Sequence, residues 1–485
     1  MTATVAASGA RGAGVTVIAQ ALTMGLQFIG VIIMARLLMP DDYGLLAIVT
    51  VLMGIGTLIR DFGMGTASIQ ERDLSSAQAS NLFWANGALT LLSAVVLGAS
   101  APLIAMIFDD SRLIGLVPVM AVVLLITGLQ TQYQARLARG MRFTALACSR
   151  VLSIVLGIVI GIVTALSGWG YWALAAQQLA IALCALIAFV LTTRWVPSLP
   201  SRGAGSREHV RAGANYGFAN VLGYVADNID TLVIGARWDA AVLGTYNRAF
   251  QLFMQPVASV FSPLSQVVIP TINRASTDWD IRSRMLLRVQ SGLVGLATWA
   301  LLVTAVTADW LIPLLLGDQW RSVVPLLQIL AVGGVFKALS QINYWAYVLA
   351  KESKHLLMSN LVTKPIQIAL IVVGAFFGVE WVAWAFVMGR ALSWPINLIW
   401  LSRVTSQKSL SAFVNGIRIF IAAAGSYGVT RICLESFSGG ERIWMIAAGF
   451  AIATATYVII FLVFPGGIRE AKSLYSLRHA LSRNA

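Results

Sequence analysis

Charged residues, cysteine and histidine are all scarce in this sequence, and their scarcity excludes several classes of protein. Only 11% of the 485 residues are charged, whereas a soluble domain has about 25%, so the chain could not cover a soluble surface. The three cysteines lie far apart, which argues against a disulfide scaffold and a cysteine-ligated metal site. The three histidines form no cluster, and no Gly-x-x-x-x-Gly-Lys-Ser/Thr loop is present. We therefore predict no metal, no cofactor and no enzymatic activity.

Long apolar runs are what the sequence has in abundance. Hydrophobic residues make up 58% of the chain and the mean hydropathy is +0.80, which predicts an all-α polytopic membrane protein. About fourteen transmembrane helices, each of about 23 residues, leave no room for a folded domain outside the membrane. The expected spans lie near residues 13–37, 43–67, 81–107, 113–134, 146–167, 170–194, 213–236, 243–269, 289–316, 323–349, 357–378, 380–402, 413–432 and 443–464.

Lysine and arginine are distributed unevenly among the expected loops. If the N-terminus is placed inside the cell, 24 of the 34 basic residues fall on the cytoplasmic side and six on the outer side. Cytoplasmic loops are enriched in these residues, so both termini are predicted to be cytoplasmic. The net charge of +14 is mostly this signal. The basic loops at 202–211 and 274–288 have no aromatic interleaving of the kind that stacks bases, which favours contact with membrane lipids and predicts no nucleic-acid binding.

A polar segment divides the chain into two halves. Residues 197–212 are rich in proline, glycine and arginine and predict a cytoplasmic linker. An N-terminal lobe, 1–196, would hold the first six spans, and a C-terminal lobe, 213–403, the next six. The last two spans occupy 404–464, and residues 465–485 form a basic tail.

The two halves also share a weak repeat. In residues 35–44 and again in 236–244, a basic residue closes a span, an acidic turn follows and a glycine opens the next span. The offset of about 200 residues is typical of transporters with internal repeats, whose substrate path lies between the halves. Coincidence is the alternative, because these residues are common at span ends. In the first half, residues 133–145 predict a short basic amphipathic helix in the inner interface, with a plain loop as the alternative.

Four segments resemble a known family: 35–45 (ARLLMPDDYGL), 61–67 (DFGMGTA), 230–235 (DTLVIG) and 243–250 (LGTYNRAF). They are similar to segments of the Wzx-type polysaccharide flippases of the multidrug/oligosaccharidyl-lipid/polysaccharide exporter superfamily, and the likeness covers nearly the whole chain. The resemblance implies two six-helix lobes arranged as a V, plus two C-terminal helices. It also implies a bacterial cytoplasmic (inner) membrane protein that moves an undecaprenyl-pyrophosphate-linked oligosaccharide outward for cell-surface polysaccharide export. A polysaccharide polymerase and the chain-length machinery would then be partner proteins.

Ionisable side chains inside the expected spans are the candidate functional residues. Each costs roughly 2.5–3.5 kcal/mol in the membrane, so such groups usually face a protein interior or a wet cavity. The seven are Arg60, Asp61, Asp227, Asp230, Arg248, Lys337 and Arg390.

The basic members of this set suggest an anion-binding cavity. Lys337 and Arg390 fall near mid-membrane, on the tenth and twelfth spans. We predict that they line a central cavity with Arg248 and Arg60 and attract the pyrophosphate, which guanidinium groups bind through paired hydrogen bonds. Structural ion pairs or snorkelling to an interface are the alternative.

The acidic members of the set have a different expected role. Asp227 and Asp230 are three residues apart and are predicted to share one face of the seventh helix, with Arg248 pairing with one of them. Asp227, Asp230 and Asp61 would form such structural pairs or hold a coupling ion, H⁺ or Na⁺.

The seventh span is also unusually polar. Its asparagine and tyrosine side chains could bond sugar hydroxyls, with Asn220 and Asn228 as the candidate cavity residues, or bond neighbouring helices. The polar residues are Asn215, Tyr216, Asn220, Tyr224 and Asn228.

Three functions are compatible with these features. The leading interpretation is a lipid-linked oligosaccharide flippase that works by alternating access. A multidrug or organic-cation antiporter of the same superfamily is disfavoured, because a cationic cavity would repel cationic drugs. A membrane glycan polymerase or ligase would have a long outer loop, which is absent from this sequence.

Overall fold

The computed structural model describes residues 2–61, 76–200, 223–405, 409–436 and 441–464, with side chains in the first helix described from residue 19 onward. Regular structure within these residues is entirely helical. The chain divides into two compact units, Met1–Gly244 and Thr245–Ala485. The all-α polytopic fold predicted from the sequence is confirmed.

Short connections join the helices of the first unit within the described ranges 2–61 and 76–200. Residues 223–227 are also helical. The complete helices are α1 (Thr2–Leu37), α2 (Pro40–Asp61), α3 (Ser76–Ala99), α4 (Ala101–Ile107), α5 (Leu113–Arg139), α6 (Phe143–Leu166), α7 (Tyr171–Thr193) and α8 (Ile229–Arg237).

The second unit is built in the same way. Helix α9 (Ala240–Ala275) begins in the first unit and continues into the second. A π-helical turn, Gln290–Val294, and a 3₁₀ turn, Asp318–Trp320, interrupt the helical run. The remaining helices are α10 (Trp279–Val289), α11 (Gly295–Leu316), α12 (Val323–Ala350), α13 (Ser353–Gly374), α14 (Val379–Val404), α15 (Ser409–Glu435) and α16 (Arg442–Val463).

Twelve helical segments among the described residues are long and apolar enough to cross a membrane. They match the expected spans one to six and nine to fourteen. The expected seventh span, 213–236, lies partly outside the described residues, and the eighth coincides with α9, which is not among the twelve. The count of fourteen is therefore not confirmed.

Glycines in the left-handed region end two of the helical runs where the sequence predicted breaks. Gly168 (φ +80°) and Gly170 (φ +54°) separate α6 from α7, and Gly378 (φ +134°) precedes α14. Glycine reaches these angles without steric cost, so the chain can reverse there within a few residues.

The expected amphipathic helix at 133–145 is wrong. Helix α5 continues to Arg139, and after a tight turn α6 begins at Phe143. Tyr133 and Leu137, one turn apart, are 6% and 1% exposed and belong to a core cluster with Phe189. Because that face of the helix is buried, these residues extend the bundle and do not lie on its surface.

The sequence repeat corresponds to a reciprocal helix crossing within the first unit. A Cβ atom added to Gly44 would lie 1.7 Å from the carbonyl oxygen of Ala240, and one added to Gly244 would lie 1.8 Å from that of Pro40. Each glycine thus meets the first residue of the other repeat's helix, α2 or α9. Only glycine permits an approach this close.

Ion pairs hold the predicted outer ends of both units. In the first unit, Arg112 donates to Asp41 and, at 2.6 Å from its Nη2, to Asp110, and its guanidinium lies 5.9 Å from the Tyr171 ring centroid. In the second, Arg431 pairs with Asp309 and Arg442 with Asp318, the latter at 3.0 Å. These pairs connect different helical hairpins at the predicted outer ends.

The ion pair with Arg112 lowers the pKa of Asp110. Burial would raise the pKa of Asp110, but the hydrogen bonds from Arg112 outweigh it and hold that pKa below its ordinary value of 3.8. The carboxylate therefore contributes stability above the ordinary pKa, and this contribution is lost as the pH falls through the lower folded-state pKa.

Replacing either crossing glycine should destabilise the fold. We expect Gly44→Ala and Gly244→Ala each to lower the free energy of unfolding by about 1–3 kcal/mol, because the added methyl collides with backbone. Thermal unfolding of the purified protein in detergent measures this. Gly25→Ala is the matched control, since nothing lies within 4 Å of its added Cβ. Unchanged unfolding of Gly44→Ala would contradict the crossing.

The ion pair between Asp110 and Arg112 predicts a pH-dependent difference in stability between the wild type and a variant that lacks this carboxylate. At pH 7, Asp110→Asn should unfold at a lower temperature than the wild type, and the two should converge as the pH falls below 3.8 and through the folded-state pKa. The measurement is thermal unfolding across that pH range. Asp109→Asn, at an exposed neighbour without an ion pair to a described residue, should show no such convergence.

Candidate functional site

Helices α12 and α14 run side by side in the same direction in the second unit. The side chain of Asn343 donates to the Trp394 carbonyl at 3.3 Å, and one turn further along the Tyr347 hydroxyl donates to the Asn397 carbonyl at 3.3 Å. These bonds fix the register, so residues of α12 lie beside residues of α14 about 51 positions later in the chain.

This register brings two predicted site residues to the same level. Lys337 precedes Asn343 on α12, and Arg390 lies at the corresponding height on α14. On the outer side of both, a Cβ added to Gly333 would lie 3.0 Å from the Phe386 ring, which confirms the close packing there. Lys337 lies roughly 21 Å along its helix and Arg390 roughly 17 Å along its own, at 1.5 Å per residue, so both fall near the middle of their spans.

The two cations have partly apolar surroundings. Both side chains are half-buried, and each makes further polar contacts. The Arg390 guanidinium lies 5.2 Å from the Phe386 ring centroid. Phe386 belongs to an aromatic cluster with Phe250 and Phe253, whose centroids are 5.5 and 6.2 Å from its own. A guanidinium over an aromatic face gains a cation–π contact that helps to hold it in place.

Arg248 lies in a more enclosed environment, nearer the predicted outer end of the second unit. It is 3% exposed, donates to Gln251 Oε1 at 3.2 Å and lies 5.5 Å from the ring centroid of Trp320, which is fully buried. Gln251 in turn donates to Asn247 at 2.8 Å. The contacts within this unit fit a packed role for Arg248. Its predicted pairing with Asp227 or Asp230 joins residues of different units and stays a prediction.

The helix expected to carry both acidic residues of the seventh span is interrupted between them. Asn228 (φ −121°, ψ 13°) separates the helical residues 223–227 from α8. The prediction that Asp227 and Asp230 share one face stays a prediction. Asp230 is 2% exposed and accepts the backbone N–H of Thr231 at 2.9 Å.

Polar side chains of this span bond or contact the protein itself. The Asn228 amide donates to the Tyr224 carbonyl at 2.8 Å, and Tyr224 Oη would lie 1.9 Å from a Cβ added to Gly54 of α2. Both contacts favour helix packing over the sugar-binding alternative. Asn220, and the side chains of Arg60 and Asp61, lie outside the described residues.

An apolar crevice lies among α11, α12, α14 and α15, with a volume of about 400 Å³. Leu301 and Phe420 are among its apolar lining residues, and Thr298, Gln328 and Tyr427 are its polar ones. Its lining suits an acyl or isoprenoid chain better than a sugar.

A family model matches more than half of the chain. Residues 33–325 match the model of a family described as "Polysaccharide biosynthesis protein". The chain belongs to this family. The predicted resemblance to a family of polysaccharide proteins is confirmed.

Several relatives in the polysaccharide biosynthesis family extend over most of the chain. The succinoglycan biosynthesis transport protein ExoT of Rhizobium meliloti (strain 1021) is 27% identical over 474 residues, which are 93% of this chain and 92% of that protein. The teichuronic acid biosynthesis protein TuaB of Bacillus subtilis (strain 168) is 26% identical over 412 residues, 79% of this chain and 80% of that protein.

Solved structures with the same fold include two transporters. A lipid II flippase MurJ in an inward closed conformation superposes with a TM-score of 0.69 at 12% identity, covering 93% of this chain and 98% of that one. An inward-facing multidrug resistance MATE family transporter has a TM-score of 0.63 at 16% identity, covering 80% and 95%. At these identities the likeness concerns the fold.

One buried cation of this family member is missed by the sequence reasoning. Arg418 is not among the seven ionisable residues expected inside the spans, but it is 6% exposed within α15. Its Nη2 donates to Asn415 at 2.8 Å and its guanidinium lies 4.7 Å from the Phe461 ring centroid. An interior span position was the available signal, because Arg418 lies inside the predicted thirteenth span.

The π-helical turn provides the partners of this cluster. Asn415 donates to Ser291 Oγ at 2.9 Å, and Gln290 donates to the Ala412 carbonyl at 3.0 Å. Just beyond the turn, the Gly295 carbonyl accepts the Tyr457 hydroxyl at 3.0 Å. The last two helices are thus attached to the rest of the second unit by buried polar contacts.

Loss of the buried arginine should weaken this attachment. We expect Arg418→Ala to lower the free energy of unfolding by about 2–3 kcal/mol, because a charged hydrogen bond and a cation–π contact are lost. Arg431→Ala, on the same helix but in a half-exposed pair, should cost less than about 1 kcal/mol. Denaturation of both variants in detergent checks the difference, and equal effects would contradict the assignment.

Proposed function

We propose that this protein translocates oligosaccharides linked to undecaprenyl pyrophosphate from the inner to the outer leaflet of a bacterial cytoplasmic membrane. The observation that carries the proposal is the pair Lys337 and Arg390, at one level in the middle of two adjacent helices. A pyrophosphate crossing an apolar layer needs such positive charge, and guanidinium binds it through paired hydrogen bonds. Transport would proceed by alternating access between the two halves.

Family membership and named relatives support this assignment. ExoT is named as a succinoglycan biosynthesis transport protein and MurJ as a lipid II flippase. The apolar crevice beside α15 offers room for part of a lipid chain. We further propose that both termini are cytoplasmic and that a polysaccharide polymerase and the chain-length machinery act after this protein.

The energy source is part of the same proposal. Asp230 is a buried carboxyl group beside the helix interruption at Asn228, and together with Asp227 it is the candidate site for a coupling H⁺ or Na⁺. Ionophores that collapse one gradient at a time, applied to transporting vesicles, identify the ion. Transport that survives the loss of both gradients contradicts ion coupling.

Removing the mid-membrane cations should abolish export. In cells lacking the native gene, we expect Lys337→Ala and Arg390→Ala, expressed at normal levels, to give at least a tenfold loss of surface polysaccharide. Single-unit lipid-linked oligosaccharide should accumulate on the inner leaflet. Lys337→Arg and Arg390→Lys keep the charge and should retain part of the activity.

The matched control is Arg321→Ala, which removes an exposed arginine from a connection at the predicted outer end. Size-exclusion profiles of the purified variants show whether each one folds. Wild-type export from both alanine variants would overturn the proposed site. Lipid analysis of the deletion strain separates the alternatives, because a polymerase defect leaves single units outside and a drug-pump defect changes only toxicity.

A further inference from the structure

The predicted inner end of the first unit carries a concentration of positive charge, and the described range 76–200 places no acidic side chain beside it. Residues 76–200 contain two acidic side chains, Asp109 and Asp110, and both precede the first residue of α5. The last residue of α5, Arg139, lies at the opposite end of that helix, roughly 40 Å away at 1.5 Å per residue. No member of the basic group forms an ion pair with a described residue. This group, the arginine crown, consists of Arg136, Arg139, Arg142, Arg150 and Arg194.

Contacts with the protein hold two members of the arginine crown in place. The Arg136 guanidinium lies 5.2 Å from the ring centroid of Trp195, a buried residue packed edge-on against Tyr133. Arg142 Nη1 donates to the Thr192 carbonyl at 3.0 Å, which joins the turn after α5 to the end of α7. A guanidinium group has five N–H donors, so each of these contacts leaves others for a ligand.

A chain of amides positions a third member. Arg150 Nη2 donates to Gln134 Oε1 at 2.9 Å, and Gln134 lies 3.4 Å from the side chain of Gln130. Gln130 in turn donates to the Ala182 carbonyl at 2.7 Å. In addition, Nε of Arg139 is buried without a hydrogen-bond partner among the described residues. Membrane topology requires only the number of basic residues and does not account for this fixed arrangement.

Apolar side chains flank the arginine crown. The segment after α7 lies against α3, where Trp84 donates from its indole nitrogen to the Ser198 carbonyl at 2.9 Å. In this segment Val196 and Leu199 are each 82% exposed. Guanidinium groups beside exposed apolar side chains match the two parts of a membrane lipid, a phosphate headgroup and its hydrocarbon chains.

We infer that the arginine crown is a binding site for the phosphate headgroup of a membrane lipid at the predicted inner surface. The shared chemistry is an anionic phosphate next to an apolar chain, which both a glycerophospholipid and a polyprenyl pyrophosphate provide. The site is separate from Lys337 and Arg390 and does not depend on the proposed function. A zwitterionic lipid should bind more weakly, because the arginines would repel the cation of its headgroup.

The protein contains its own reporter for this site. Cys148 is exposed on α6 between Arg142 and Arg150. Replacing Cys184 and Cys433 by alanine leaves it as the single thiol, to which an environment-sensitive maleimide dye can be attached. The full-length protein in detergent is then titrated with short-chain phosphatidylglycerol, phosphatidylcholine and undecaprenyl pyrophosphate. Native mass spectrometry of the undyed protein counts the bound lipids independently.

We expect saturable binding of phosphatidylglycerol, at least tenfold tighter than that of phosphatidylcholine. Arg139→Gln and Arg150→Gln should each weaken it by about fivefold, the contribution of one arginine near an anionic surface. Arg321→Gln, an equal loss of charge at the predicted outer end, should leave it unchanged. Unfolding temperatures confirm that the variants are folded.

The titrations also separate the two sources of phosphate. Equal binding of phosphatidylglycerol and undecaprenyl pyrophosphate supports a general site for anionic lipids, and tighter binding of the pyrophosphate alone supports a loading site for a lipid-linked substrate. If phosphatidylcholine binds as tightly as the anionic lipids, or if the arginine variants bind like the wild type, the inference is overturned. Export data from Lys337 and Arg390 variants have no bearing on either result.

Discussion

The cost of placing charge in a hydrocarbon layer determines where ionisable groups lie in this protein. At the predicted outer ends, Arg112 and Arg431 are neutralised by carboxylates where the chain leaves the apolar layer. At the predicted inner end of the first unit, the arginines instead form no ion pair with an acidic side chain that the structure describes. Lys337 and Arg390 lie between these levels, at matching height. A cation retained in that layer needs either a packed partner or an anionic ligand.

The same constraint distinguishes the buried arginines from one another. Arg418 and Arg248 are almost fully enclosed, and each lies over an aromatic ring and bonds an amide side chain. Lys337 and Arg390 are half-buried. Because enclosed guanidinium groups are held by the protein, they suit packing. Partly exposed groups at mid-height are the ones that an incoming phosphate could reach, which is why the functional proposal depends on them.

Much of the architecture follows from properties that are local in sequence. Apolar runs predicted the helices, and glycines at 168, 170 and 378 marked reversals because few other residues reach their backbone angles. The glycine repeat at Gly44 and Gly244 was also visible, although the contact between the repeats was not. Packing decided what the sequence alone could not: the buried face at Tyr133 extended α5, and Asn228 interrupted a helix that hydrophobicity alone suggested was continuous. Arg418 was missed as a buried cation because hydropathy does not reveal which neighbours enclose a residue.

The π-helical turn at Gln290–Val294 has a consequence for how the gene can change length. One residue more than an α-helix requires is accommodated there, and deleting it would give regular geometry. Each residue in a helix turns by about 100°, so everything before the deletion would rotate by that angle relative to α11. Arg282 of α10, which now donates to the Leu349 carbonyl at 3.1 Å, would point elsewhere. Insertions and deletions are therefore not expected within the continuous helical run from α10 to α11. They are expected in the loops before α10 and after α11.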